Sequence, residues 1–362
     1  MAGQIDKISV KTGKSVYWIY LGNRIFESFL EKEEIQDADK IALVISSSVF
    51  EIHERYIQSA LKSLPEAEIF LMADGEENKN YRYAEMFLED FLAKGLTRKS
   101  IVIGIGGGVV GDFAGFLASI YMRGIRVIHV PTTLLAMVDS SIGGKVAVNL
   151  STGKNIVGSF HQPSMVITDT SFLHTLDDAE FKNGLVEALK HGLIGDRATV
   201  RIFEENDFDS IRNDATILRL ITQSASFKAS IVEQDEKETG ARAILNYGHT
   251  IGHAIESLLG YKDVSHGEAV ALGMKVKLAV SRKMGWLTDV DVKRVDTIFK
   301  NYDLIRKDIL FNPEEIIEHI QYDKKNTGGK FNFILLKGIG NPLFNQQIEE
   351  KMLYQVLEEM LG

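Results

Sequence analysis

The first half of the chain alternates short apolar runs with longer amphipathic stretches. Ile41-Ala42-Leu43-Val44-Ile45, Ala67-Glu68-Ile69-Phe70-Leu71-Met72, Ile101-Val102-Ile103-Gly104-Ile105 and Val127-Ile128-His129-Val130 are brief and mostly β-branched or apolar, so they read as strands. Residues 49–64 and 81–94, between them, carry apolar positions at helical spacing. Strands alternating with helices of this length build parallel βαβ units, and Met165-Val166-Ile167-Thr168 closes that block. Past about Leu173 the pattern changes. Residues 179–194, 215–233, 244–259 and 267–283 all read as amphipathic helices. A small β element, Phe331 to Leu336, precedes a closing helix from about Ile348. The pattern predicts an α/β N-terminal domain over residues 1–173 and a mainly α-helical C-terminal domain over 174–362, with a catalytic cleft between them as the default expectation.

Composition narrows the class. A chain of 362 residues with 45% hydrophobic and 25% charged content suits a soluble globular protein of two domains. A net charge of −9, with no block of lysine or arginine, argues against a nucleic-acid partner. The absence of cysteine excludes disulfides and suits a reducing cytoplasm. Residues 1–20 lack the basic and apolar regions of a signal peptide. Residues 101–122 are apolar enough to suggest a membrane span, but Asp112 and a cluster of glycines favour a strand, a turn and a buried helix, so no membrane partner is expected.

The densest chemistry lies in Leu245-Asn246-Tyr247-Gly248-His249-Thr250-Ile251-Gly252-His253-Ala254-Ile255-Glu256, which reads as a helix starting near Asn246. Residues four apart share a helix face, so His249 and His253 point into one small space. Two imidazoles there mean a divalent metal, a proton relay or both; helix capping or packing is the bland alternative. A third histidine follows at His266, and Glu187 stands in an upstream helix. Without cysteine, a metal here must be held by nitrogen and oxygen, which favours zinc or a similar ion in an open site.

Two further segments suit anions. Gly104-Ile105-Gly106-Gly107-Gly108-Val109-Val110-Gly111-Asp112 follows a strand and opens a helix, so its backbone can approach a pyrophosphate at a helix N-terminus. Its glycines fit the G-x-G-x-x-G spacing, yet the acidic residue expected about 20 positions on is missing, since that region reads His129-Val130-Pro131-Thr132-Thr133. Gly75-Glu76-Glu77-Asn78-Lys79 sits just past a strand end, where parallel sheets bind ligands. Asp139 to Asn149, followed by Gly153-Lys154-Asn155, concentrates Gly, Ser, Lys and Asn in a loop suited to phosphate. Arg123 could add a bidentate contact.

Taken together these segments resemble the sugar-phosphate cyclases, and within them the 3-dehydroquinate synthase family. The matching runs extend from Gly75 to about Gly340 and include Gly106 to Asp112, Pro131 to Leu135, Asp139 to Lys145, Glu187 to Lys190, Arg242 to His253, His266-Gly267-Glu268 and Asp323-Lys324-Lys325. The resemblance implies a dehydroquinate synthase-like fold with a Rossmann-like parallel sheet. It implies conversion of 3-deoxy-D-arabino-heptulosonate 7-phosphate to 3-dehydroquinate and phosphate, in the shikimate pathway. NAD would oxidise the C5 hydroxyl transiently, phosphate would leave by β-elimination, the hydride would return, and an aldol step would close the ring.

The resemblance also assigns residues. Glu187, His249 and His266 would bind zinc or cobalt. His253 would shuttle protons or bind the departing phosphate. Lys145, Asn155 and Arg123 would hold the phosphate, Arg123 coming across the interface of a homodimer. Lys228, Arg242 and Lys325 would face the substrate carboxylate, Lys190 and Asn246 its hydroxyls, and Asp139 the hydroxyl and metal network. Glu76, Lys79, Gly107, Gly108, Asp112, Thr132, Thr133, Lys145, Lys154 and Thr175 would line the NAD site. One departure stands out: the family's Asp or Asn near the adenosine end of NAD is replaced by Ser46 in Ile45-Ser46-Ser47-Ser48. The rivals are a cyclase such as 2-deoxy-scyllo-inosose synthase, which has no substrate carboxylate, and a metal-dependent polyol dehydrogenase, which has no need of a phosphate loop.

Overall fold

The computed structural model describes residues 5–13, 15–62, 64, 66–260, 263–306, 309, 311–321 and 330–361. They fall into two compact units: Met1–Phe181 with Lys228–Lys237, and Lys182–Phe227 with Glu238–Gly362. Beside the expected boundary at residue 173, the first unit also takes in 174–181 and 228–237.

The first unit is built on a seven-stranded sheet. Its strands are β1 (Asp6–Thr12), β2 (Ser15–Gly22), β3 (Ile41–Ser46), β4 (Ala67–Met72), β5 (Ile101–Gly106), β6 (Arg126–Pro131) and β9 (Met165–Asp169). They lie in the order β1-β2-β9-β6-β5-β3-β4, parallel except for the β1–β2 hairpin. Every residue of β3, β5 and β9 is buried, as a parallel strand covered on both faces requires. The helix Tyr81–Ala93 packs by rings: Phe87 meets Phe113 edge-on at 5.2 Å, and Phe91 meets Tyr121 at 5.5 Å. Such pairs add about 0.5–1.5 kcal/mol each to the burial itself. Residues 101–122 form β5, a glycine turn and the helix Gly108–Ile120. No helix among the described residues is long and apolar enough to cross a membrane.

The segment read as a polar loop is a hairpin, β7 (Lys145–Leu150) and β8 (Gly153–Phe160). Its cause is an alternation that the glycines and lysines obscure: Val146 and Val148 are buried while Lys145 is exposed.

The second unit is mainly helical. Its principal helices include most of Asp178–Ile194, then His249–Leu258, His266–Lys283 and Glu350–Leu361, with one hairpin of β10 (Lys330–Leu336) and β11 (Pro342–Glu349). The histidine helix begins at His249, not near Asn246. Residues 241–246 form a 3-10 turn, and Gly248 has φ +87°, which a right-handed helix cannot contain. Helices His249–Leu258 and His266–Lys283 touch almost backbone to backbone. A Cβ on Gly273 would stand 2.0 Å from the Gly248 carbonyl oxygen. This close approach sets the distance between the histidines each helix carries.

Candidate active site

In the second unit, three helices converge on four donors. Oε1 of Glu187 lies 3.8 Å from Nε2 of His249 and 3.7 Å from Nε2 of His266. Glu187 is 1% exposed, and this oxygen has no hydrogen-bond partner among the described residues. A buried carboxylate oxygen facing two imidazole nitrogens is costly unless a cation completes it, so the residues fit a divalent metal. Lys190 donates to the other oxygen of Glu187, holding the carboxylate in place. Asn183 anchors the Glu187 helix by accepting from Gly267 N–H at 3.1 Å, next to His266.

The His249 and His253 rings are 5.4 Å apart, as are those of His249 and His266. A second possible donor group, His253, Glu256 and His266, overlaps the first. Nδ1 of His266 lies 3.4 Å from both oxygens of Glu256. That carboxylate fixes the ring so that Nε2 faces Glu187, an outer-carboxylate arrangement common to metal-bound histidines. Nδ1 of His249 similarly lies 3.4 Å from the Tyr247 carbonyl. His253 is exposed at the rim of this cluster. Burial by itself lowers the His266 pKa, but the hydrogen bond to Glu256 and the charges of Glu187 and Glu256 hold it above the ordinary value.

Arg242 is 2% exposed, and Asn246 donates to Glu238 Oε1 at 2.6 Å. Glu238, held at φ +56°, and Glu256 were not among the expected site residues. Glu256 was legible as the acid seven positions after His249, on the same helix face. Lys325 lies outside the described residues.

In the first unit, Lys79 is 3% exposed and paired with Asp112. It also donates to Asn155 Oδ1 at 2.6 Å. Asn149, another unforeseen residue, donates to Glu76 Oε1 at 2.7 Å and accepts from Asn155 N–H at 2.8 Å. Glu76, Lys79, Asp112 and Asn155 thus form one network through Asn149, next to the glycine turn. Lys145 and Lys154 are exposed on the hairpin. Lys228 donates to the Asp139 carbonyl and to its Oδ1, both at 2.7 Å. Thr175 Oγ1 lies 2.7 Å from His53 Nε2.

The glycine turn fits a dinucleotide. A Cβ on Gly107 would sit 3.0 Å from Thr133 and one on Gly108 3.0 Å from the Ser140 hydroxyl. The Thr132 and Ser140 hydroxyl oxygens are buried there with no hydrogen-bond partner among the described residues. Arg123 is exposed on a turn where it and Met122 have φ of +73° and +51°. Such values are uncommon for non-glycine residues.

Comparison with known proteins accords with this geometry. Residues 69–183 match the 3-dehydroquinate synthase N-terminal family and residues 184–326 its C-terminal family. The chain is 40% identical over 359 residues to the 3-dehydroquinate synthase of Leptospira interrogans serogroup Icterohaemorrhagiae serovar copenhageni, covering 99% of both chains. It resembles the crystal structure of 2-deoxy-scyllo-inosose synthase complexed with carbaglucose-6-phosphate, NAD+ and Co2+, with a TM-score of 0.89 at 27% identity, covering 98% of this chain and 100% of that one. The 2-epi-5-epi-valiolone synthase of Streptomyces hygroscopicus subsp. jinggangensis, solved with NAD+ and Zn2+, shares the fold at a TM-score of 0.85, 23% identity and 98% coverage of each chain. The fold is that of the sugar-phosphate cyclases. Within that class, the chain belongs to the 3-dehydroquinate synthase family.

Proposed function

We propose that the chain converts 3-deoxy-D-arabino-heptulosonate 7-phosphate to 3-dehydroquinate and phosphate, using NAD catalytically and zinc or cobalt as the metal. The observation that carries the reading is the unsatisfied Oε1 of Glu187 between His249 and His266. The full-length identity to 3-dehydroquinate synthases supports this substrate over that of the other cyclases.

A bound nicotinamide would supply reversible hydride transfer, and a bound cation would polarise substrate hydroxyls. The chain's own residues do the rest. Gly107, Gly108, Thr132 and Thr133 receive the dinucleotide, with Glu76, Lys79, Asp112, Lys154 and Thr175 lining its site. Lys145, Asn155 and Arg123 bind the substrate phosphate. Arg242, Lys228 and Lys325 bind its carboxylate, the first as a planar two-pronged donor. Lys190 and Asn246 orient hydroxyls, and Asp139 steadies Lys228. His253, exposed beside the metal ligands, passes protons while phosphate departs.

A homodimer is part of this reading, with Arg123 reaching the partner's site; its exposed, left-handed turn supports that role. A cytoplasmic location rests on the absence of cysteine. The test is product identification: the heptulosonate phosphate incubated with protein, NAD and zinc yields a carbocyclic dehydroquinate by NMR. An unchanged sugar phosphate would overturn the reading.

A further inference from the structure

His266 has a carboxylate on each side of its ring: Nε2 faces Glu187 and Nδ1 faces Glu256. The metal ligands described above use only the first side. On the other, Nδ1 lies 3.4 Å from Oε1 and 3.4 Å from Oε2 of Glu256. That is long for a charge-assisted hydrogen bond, which closes to about 2.7–2.9 Å, and it favours neither oxygen. It matches the separation of two ligands on one ion. Nitrogen and oxygen about 2.0–2.2 Å from a tetrahedral zinc stand about 3.3–3.5 Å apart.

His253 completes a set of three. One ring nitrogen of His253, one carboxylate oxygen of Glu256 and one ring nitrogen of His266 all lie within 4.8 Å of one another. The sequence fixes that grouping. His253 and Glu256 are three residues apart on helix His249–Leu258 and share a face. His266 is the first residue of helix His266–Lys283, which glycine lets approach closely: a Cβ on Gly252 would stand 3.0 Å from the Ala269 carbonyl oxygen. Burial differs across the group. Glu256 is 7% exposed, so its carboxylate gains from a cation, while the exposed His253 leaves the group open to ions in solution.

We propose that His253, Glu256 and the Nδ1 side of His266 form a second, weaker site for a divalent ion of the zinc, cobalt or copper type, with the His266 ring bridging it to the ion held by Glu187 and His249. The proposal rests on the metal reading above and extends it. Two imidazoles and a carboxylate suit those ions over magnesium or calcium, which take oxygen ligands. The first ion leaves a proton on Nδ1. The second displaces that proton to solvent and takes the lone pair, so the ring becomes a shared anion. Its charge, with those of Glu187 and Glu256, offsets the two cations. Release of the proton makes the second ion the weaker one. At one equivalent Glu256 supports the ring from outside; at two it becomes a ligand. The second ion also occupies the lone pair with which His253 would pass protons, so metal beyond one equivalent slows turnover.

The test is equilibrium dialysis of the metal-stripped full-length protein against Co2+, counting bound ions by mass spectrometry and recording the electron paramagnetic resonance spectrum at each step. The wild type is expected to take two equivalents, the second with a Kd at least about tenfold above the first. The signal of the first ion should lose intensity as the second arrives, because the shared ring couples them. His253→Ala should weaken the second ion at least about tenfold and leave the first within about threefold. His253 is exposed, so the variant keeps the fold, which circular dichroism checks. A wild type that saturates at one equivalent would overturn the second site and leave the first standing. Two equivalents bound equally well by wild type and His253→Ala, or a second signal that simply adds to the first, would place the extra ion elsewhere and overturn it too. A wild type that binds no cobalt would overturn the metal reading and this proposal together.

Discussion

Glu256 holds Nδ1 of His266 within 3.4 Å of both its carboxylate oxygens, on the side of the ring away from Glu187. The ring is thereby oriented and its Nε2 made a better donor. Carboxylates that support a metal-bound imidazole are typically worth about 10–100-fold in metal affinity. Glu256→Gln should therefore weaken zinc binding by about that factor, measured by competition with a chromophoric chelator, while the protein stays folded. Unchanged affinity would remove Glu256 from the site.

His249→Ala should be more severe. It removes one of the two imidazoles facing the orphaned oxygen of Glu187. Metal content by mass spectrometry is expected to fall to near zero and turnover with it, with the circular dichroism spectrum retained. A variant carrying a full equivalent of zinc would refute the ligand assignment.

Arg242 supplies a test of substrate identity. Lysine in its place keeps the charge but loses the planar fork. Arg242→Lys should raise KM for the heptulosonate phosphate by about tenfold or more, the worth of one charge-assisted hydrogen bond. NADH affinity should stay within about twofold of the wild type. Equal losses in both would argue against a carboxylate contact.

Lys277 bears on stability. It is 1% exposed, and its ammonium lies 5.4 Å from the Tyr247 ring centre and 5.3 Å from that of Phe333. Burial pushes its pKa down to about 7, against ~10.4 in an unfolded chain. Between those values the unfolded chain holds a proton that the folded one has released, so stability rises with pH across that window. The burial penalty is complete below about pH 7 and fades toward pH 10. At about 1.4 kcal/mol per unit, a shift of this size corresponds to a penalty on the order of a few kcal/mol. Lys277→Met should accordingly melt higher than the wild type at pH 6.5, and the gain should shrink by pH 9.5. A gain independent of pH would mean that Lys277 is not neutralised by burial.

The parts legible in the sequence were those fixed by local periodicity. Unbroken β-branched runs such as Ile41 to Ile45 revealed the buried parallel strands. The four-residue spacing of His249 and His253 placed their rings on one helix face. Parts that depend on distant partners were less legible. The buried alternation of Val146 and Val148 was hidden by the glycines and lysines around it, so a hairpin read as a loop. The start of the histidine helix was set by the backbone of Gly248, not by an apolar repeat. Ser46 and Asp74, 28 positions apart, hydrogen-bond because β3 and β4 lie side by side, which no local pattern reveals.

The proposed reaction is an internal redox cycle on a phosphorylated substrate in a metal-dependent site. Its most direct test is to follow phosphate release from the heptulosonate phosphate, with NAD and zinc present, while recording NADH absorbance. Many equivalents of phosphate per protein are expected with no accumulating NADH, and loss of the reaction on chelation. Phosphate release untouched by a chelator, or NADH rising in step with turnover, would contradict it.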